Sequence, residues 1–444
     1  MRSASPPNRR AFLKQLGLLA GSAPFITSGL RAQNVEPRLR HAAIGVGGMG
    51  WSDLQSFASH PRLRLVALCD VDAKRSAEAR KRFPDVPFYR DWRALLERHG
   101  AELDSVNVST PDHMHAPIAH AALQLGKHVY GQKPLAHNLH ETRQLTLFAR
   151  RQKVVTQMGI QVHSSGHYQL GAKLIRDGVI GKIQEVHTWC AKSWGDAGTL
   201  PDRTDPVPEE LDWNLWLGVA AGRPFIGDGY YHPNNWRKRL DFGTGTFGDM
   251  GCHIFDPVFL ALGCLTPLTV RSTGPAPNAT NWALDSRIHY TFAGNALTAD
   301  KTLPMSWYDG AGARPRHLQE HIEGDDLPGA GALFIGTEGV MLLPHVARPQ
   351  LYPDAKFAGF EFPNVRGADH YHQFVDACLG RGQTTAHFDY AGPLTEAVLL
   401  GGVASRFPQT TLRWNARRLR FEERAANAFL RREYREGWRV RGLG

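Results

Sequence analysis

The chain has 444 residues, 42% of them hydrophobic, which is enough to bury two cores. Of the formal +10 charge, Arg2, Arg9, Arg10, Lys14 and Arg31 supply five before any acid appears, and the rest is dispersed, which argues against a nucleic-acid surface. The five cysteines (Cys69, Cys190, Cys252, Cys264 and Cys378) are odd in number and widely spaced, so they read as small buried hydrophobes rather than a disulfide framework or metal cluster. At the N-terminus, Asn8-Arg9-Arg10-Ala11-Phe12-Leu13-Lys14 is a twin-arginine pattern followed by an uncharged stretch from Gln15 to Leu30. That stretch is too short and too glycine-rich for a stable membrane anchor. Residues 1–33 are therefore expected to be an export signal leading to the periplasm or the medium, the plain alternative being a basic N-terminal tail.

From 38 to 158 short β-rich runs alternate with amphipathic ones. Strands are expected at His41–Val46, Leu63–Cys69, Asp104–Ser109, Lys127–Tyr130 and Val154–Met158. Helices are expected at Met49–Ser59, Ala73–Phe83, Trp92–Arg98, Ala116–Leu125 and Leu139–Arg151. Such alternation predicts a doubly wound parallel sheet, with ligands beyond the carboxyl ends of its strands. After the first strand comes Gly45-Val-Gly47-Gly48-Met49-Gly50, and the second strand ends on Asp70. This is the dinucleotide fingerprint in its proper context: Gly45 for the turn, Gly47 for close approach of a pyrophosphate, Gly50 for helix–sheet packing. Asp70 would accept from the adenine ribose hydroxyls and repel a 2′-phosphate, so NAD is expected rather than NADP. Two further segments follow strands, Thr110-Pro111-Asp112-His113-Met114-His115 and Gln132-Lys133-Pro134, and the second would place Lys133 in the crevice.

A second domain is expected over 159–444. Ile183–Lys192, Asp285–Phe292 and Ala332–Leu343 alternate like half-exposed strands, the last around Gly336-Thr337-Glu338-Gly339. They suggest an open, mainly antiparallel or mixed sheet with helices on one face. In Gly243-Thr-Gly245-Thr-Phe-Gly248-Asp249-Met-Gly251-Cys-His253 the glycines lead into a helix start. Asp249 and His253, four apart, would share a face, so that the carboxylate could orient the imidazole. Histidine suits removal of a hydroxyl proton near neutral pH. Pro257 suggests that this helix starts late or bends. Gln161, His163, Trp194, His232, Trp236, Arg237 and Trp307 fall in polar, aromatic stretches suited to a sugar. The charged tail, Ala425 to Trp438, has a helical pattern with a solvated face. No histidine or cysteine spacing indicates a metal.

The GVGGMG turn, the TPDHMHAPIA segment, the Lys133-Pro134 pair and the GDMGCH motif together resemble the Gfo/Idh/MocA oxidoreductases, in particular their exported members. The resemblance implies an N-terminal Rossmann domain and a larger α/β domain whose open sheet pairs copies into a homo-oligomer. It also implies that Lys133, Asp249 and His253 are catalytic. His253 would be the base on a substrate hydroxyl, Asp249 would orient it, and Lys133, after a cis peptide bond into Pro134, would bind the reacting oxygen. Thr110, Pro111, His115, Gln132 and Lys133 itself would lie against the cofactor. The family has Glu where this chain has Gln132, which removes a charge near Lys133. The implied reaction passes a hydride between a carbohydrate or cyclitol hydroxyl and tightly held NAD. Redox-neutral glycoside hydrolysis through a transient ketone, or a non-catalytic sensor in which Lys133 and His253 are idle, remain the alternatives.

Overall fold

The computed structural model describes residues 37–312 and 314–443, so the Arg9-Arg10 pattern and the whole 1–33 segment lie outside the described residues. The first half builds β1 (Leu39–Ile44), α1 (Met49–Ala58), β2 (Leu63–Cys69), α2 (Ala77–Arg82), β3 (Phe88–Tyr89), α3 (Trp92–His99), β4 (Ser105–Val108), α4 (His115–Gln124), β5 (His128–Gly131), α5 (Leu139–Gln152) and β6 (Thr156–Met158). The six strands are parallel in the order β3-β2-β1-β4-β5-β6. Central β4 is buried along its whole length, as a parallel strand covered on both faces must be. α2 starts later than the expected Ala73, because the Asp72 carboxylate accepts the Lys74 and Arg75 amides and holds a turn there. The two-residue β3, too short to carry a pattern, was not expected.

The second half adds α6 (Gly166–Arg176), β7 (Ile183–Cys190), α7 (Trp213–Leu217), α8 (Gly245–Leu262), β8 (Pro267–Ser272), β9 (Arg287–Ala293), β10 (Thr302–Asp309), β11 (Ala330–Gly336), β12 (Val340–Pro344) and β13 (Gln350–Tyr352). α9 (Asp354–Phe357), α10 (His370–Cys378), α11 (Phe388–Ala404), β14 (Thr411–Asn415) and β15 (Arg420–Phe421) complete it. Nine strands form a mixed sheet, β13-β12-β11-β7-β10-β9-β8-β14-β15, in which only β7 and β10 pair in parallel. The fold is therefore α/β: a parallel Rossmann sheet followed by a mostly antiparallel one.

Three local expectations are corrected. α8 begins at Gly245 and continues through Pro257, because its residues are buried on nearly every side and packing against α6, α11 and β7 outweighs the proline. Trp307 is not in a loop but in β10, fully buried, stacked 4.7 Å from Phe247 and donating to Asp309. The C-terminal tail is not a solvated helix. Only a short 3₁₀ turn forms, at Arg424–Phe429, and beyond it Tyr434 donates to the buried carboxylate of Glu141 while Arg435 is held by Asn214 and Gly218. Cys69, Cys190 and Cys252 are buried, Cys378 is half-buried and Cys264 is exposed.

Candidate active site

Gly45 leaves β1 with φ 83°, and a Cβ there would come within 2.5 Å of the Ser109 carbonyl oxygen. A Cβ on Gly50 would fall 2.1 Å from the Gly45 carbonyl oxygen, so only glycine lets α1 start against the turn. Gly47, Gly48 and Met49 line a cavity of about 500 Å³ that extends past Thr110 and Pro111 to Lys133, Asp249 and His253. A bare glycine turn, a helix N-terminus and an acid ending β2 fit a dinucleotide. Asp70 lines the cavity, and its Oδ2 accepts the Val46 and Gly47 amides at 2.9 and 3.1 Å, so the carboxylate also braces the turn. Burial pushes its pKa up. Sequence reasoning missed Arg75, whose guanidinium lies across Gly48 where it could meet a pyrophosphate; its place five residues after Asp70 was the available signal.

His115 reaches the cavity wall, but its ring nitrogens sit against carbonyl oxygens, Nδ1 2.7 Å from Pro134 and Nε2 2.8 Å from Thr110. It clamps the two strand-end loops together. His113 is turned away, its Nε2 3.1 Å from the Trp216 carbonyl and its ring against Phe242.

Gln132 does not leave the lysine without a neighbouring carboxylate. Its amide donates at 3.1 and 2.9 Å to both oxygens of Asp53, a buried acid on α1 that also accepts from Ser109 and Tyr371. Burial raises the Asp53 pKa against these hydrogen bonds. A glutamate at 132 would set two carboxylates face to face, so the amide and Asp53 form a matched pair. The charge expected to be lost stands one side chain further back, on a helix that the Gln-Lys-Pro triplet does not reveal.

The Lys133–Pro134 peptide is cis. Lys133 Nζ donates to Asp249 twice, at 2.7 Å to Oδ1 and 2.8 Å to the main-chain oxygen. Asp249 Oδ1 also accepts from Arg237 Nε at 3.1 Å, and Oδ2 from the Trp194 indole at 3.0 Å. Burial alone would raise the Asp249 pKa, but the Lys133 ammonium and Arg237 guanidinium hold it far below the usual carboxylate range. The expected Asp249–His253 hydrogen bond does not form: the carboxylate is spent on two cations and an indole. His253 lines the cavity one helical turn on, and its Nδ1 is buried without a partner. Burial, then the Lys133 ammonium and the neighbouring His345, push its pKa well below the ordinary value. The imidazole is therefore neutral near pH 7 and able to accept a proton.

Of the residues expected to meet substrate, Gln161, Trp194, His232, Trp236 and Arg237 line the cavity. Arg237 lies 4.3 Å over Trp236 and 5.3 Å over Trp194. His232 is committed elsewhere, with Nε2 2.8 Å from Asp72 and Nδ1 accepting from Trp216. His163 does not reach the cavity: it is 1% exposed and its Nδ1 lies 2.8 Å from Asp256. Lys192, just past β7, lines the cavity and was missed because that strand was expected to run two residues longer.

Comparison with known proteins agrees with this geometry. The model of an oxidoreductase family's NAD-binding Rossmann fold matches residues 39–160, and the model of that family's C-terminal alpha/beta domain matches 172–299, together more than half of the chain. Levoglucosan dehydrogenase of Pseudarthrobacter phenanthrenivorans is 24% identical over 48% of this chain and 48% of its own length. A glycosyl hydrolase family 109 protein of Shewanella sp. is 28% identical over 40% of this chain and 44% of its own. The chain thus spans about half the length of the curated relatives it matches. In fold, it resembles the WlbA dehydrogenase from Bordetella pertussis, solved with NADH and UDP-GlcNAcA, at a TM-score of 0.59 and 17% identity over 85% of this chain and 99% of that one.

Proposed function

Because the chain belongs to the Gfo/Idh/MocA oxidoreductase family, whose N-terminal domain binds NAD, we propose that it oxidises a hydroxyl of a sugar, glycoside or cyclitol. The observation that carries this reading is the convergence of Lys133, Asp249 and His253 at the end of the cavity that begins at the glycine turn. NAD, once bound, supplies the hydride acceptor. Gly47 and Gly48 would admit its pyrophosphate beside Arg75, and Asp70 would meet its ribose. The neutral His253 takes the hydroxyl proton. Lys133, with two of its donors on Asp249, has a third for the substrate oxygen. Trp236 and Arg237 offer an apolar face and donors to the ring. The ranges 38–158 and 159–444 are the proposed cofactor domain and the substrate and oligomerisation domain. Outer-face residues Arg271, Arg287 and Thr291 on β8 and β9 are available to a second copy.

The Arg9-Arg10 pattern supports export. Outside the cytoplasm the cofactor must stay bound and be regenerated in place. Nucleotide should then copurify and survive dialysis, implying a Kd below about 1 μM, or better than about −8 kcal/mol. The decisive experiment identifies by mass the nucleotide released on denaturation and incubates the native protein with a glycoside panel. A ketosugar supports oxidation. Free sugar with unchanged nucleotide assigns redox-neutral hydrolysis, the chemistry of the reading kept second because of the family 109 similarity. Protein that purifies empty and yields no product rejects both.

The depressed pKa of His253 sets the pH dependence. A base must be deprotonated to act, so lowering its pKa preserves activity into acid. The acid limb of kcat/KM should lie below about pH 6.5, the ordinary histidine value. A limb at or above that value in the wild type, removed by His253→Gln, would overturn the assigned protonation state.

A further inference from the structure

We infer that a second cavity, separate from the one containing Lys133, is a binding site for a small organic oxyanion bearing a carboxylate or phosphate. It has a volume of about 420 Å³ and lies between the first turn of α8, the end of α11 and the C-terminal segment. His137, Trp282, Arg406, Phe429, Arg431 and Arg432 are among its walls.

Its charge is unbalanced. The Arg406 guanidinium makes no hydrogen bond or ion pair among the described residues; it lies 4.5 Å over the Phe429 ring and 5.4 Å over Trp282. Burial lowers its pKa, and among the described residues the acid acting against this is Asp241. That carboxylate is already paired with Arg223. Arg432 donates from Nη1 to the Asp241 carbonyl oxygen at 2.8 Å and approaches His137 Nδ1 at 3.5 Å, while its Nε is buried with no partner. His137 brings no charge, since burial, reinforced by Arg432, pushes its pKa down to about 3. Arg431 and Glu433, both exposed and of opposite charge, stand at the rim.

Two guanidinium groups thus face one cavity with no carboxylate hydrogen-bonded to either among the described residues; the charges nearest Arg432 are the buried Glu141, which accepts from Tyr434, and Asp241, which is paired with Arg223. Both arginines are half-buried, and a partly desolvated cation without a bonded anion is stabilised when something of opposite charge joins it. An oxyanion matches a guanidinium fork, and the apolar faces of Trp282, Phe429 and Phe247 would take the rest of a small molecule. Among the described residues the cavity has no group of three side chains suited to a metal, and it shares no lining residue with the cavity at the glycine turn, so the NAD phosphates are not its occupant.

The test uses full-length protein saturated with NAD, so that the glycine turn is filled, and inorganic phosphate as the probe against chloride at equal ionic strength. Equilibrium dialysis should show one phosphate per chain, bound at least about tenfold more weakly after Arg406→Met. In chloride alone that variant should melt at or above the parent temperature, since an apolar chain of similar length replaces an uncompensated cation on the same two rings. If Arg406→Met does not fold, Arg432→Gln makes the same binding comparison. Parent protein that takes up no phosphate, or variants that bind it as the parent does, would overturn the inference.

Discussion

Lys133→Met is expected to lower kcat by about 10²- to 10⁴-fold while leaving NAD bound, the range supplied by one positioned proton-handling group. Lys133 sits where the Rossmann sheet meets α8, and its ammonium is the group that can both reach a substrate oxygen and remain anchored to Asp249. Methionine keeps the apolar stem and removes the donors. Arg237 and Trp194 still satisfy the Asp249 carboxylate, so the fold should survive. Cofactor retention follows because the glycine turn and Asp70 lie at the other end of the cavity. Turnover on the substrate found in the glycoside panel and nucleotide released on denaturation are the two measurements. Activity within a few-fold of the parent would remove Lys133 from the mechanism, whereas loss of nucleotide would make it a binding residue instead.

The parts of this molecule that were legible in its sequence are those specified by neighbouring residues. Gly45, Gly47 and Gly50 declare the turn because each answers a local steric demand, and the βα alternation around them declares a parallel sheet. Lys133 could be placed in the crevice from its position just after β5. What could not be read depends on residues distant in sequence. Asp53 and Gln132 are 79 positions apart, and nothing in either segment announces that the amide of one is matched to the carboxylate of the other. His163 looked like a sugar ligand until Asp256, on α8, proved to be its partner. Trp307 looked like a loop residue because the strands beside β10 are long-range partners, and its burial comes from them. The tail carries a helical charge pattern, yet the chain gains more by laying Tyr434 on Glu141 and Arg435 on Asn214 than by a solvated helix held only by weak side-chain pairs.

Asp249 separates the local reading from the three-dimensional one, and its substitution is expected to have the second large effect. Spacing along α8 pairs it with His253, whereas the structure pairs it with Lys133 and Arg237. Asp249→Asn would leave two cations facing a neutral amide. Breaking a buried pair from one side costs about 3–5 kcal/mol, and the amide oxygen, which can still accept one of the donors, places this variant towards the lower figure. Denaturant unfolding of the nucleotide-bound protein measures that loss. The catalytic consequence is resolved by two double-mutant cycles. If Asp249 works by holding Lys133, then Asp249→Asn should cost little further activity in a Lys133→Met background, because groups acting as a unit are not additive. Combined with His253→Ala, it should retain most of its own penalty. The reverse pattern, additivity with Lys133 and none with His253, would mean that the carboxylate turns to the imidazole when substrate arrives and that the ion pair described here is exchanged during turnover.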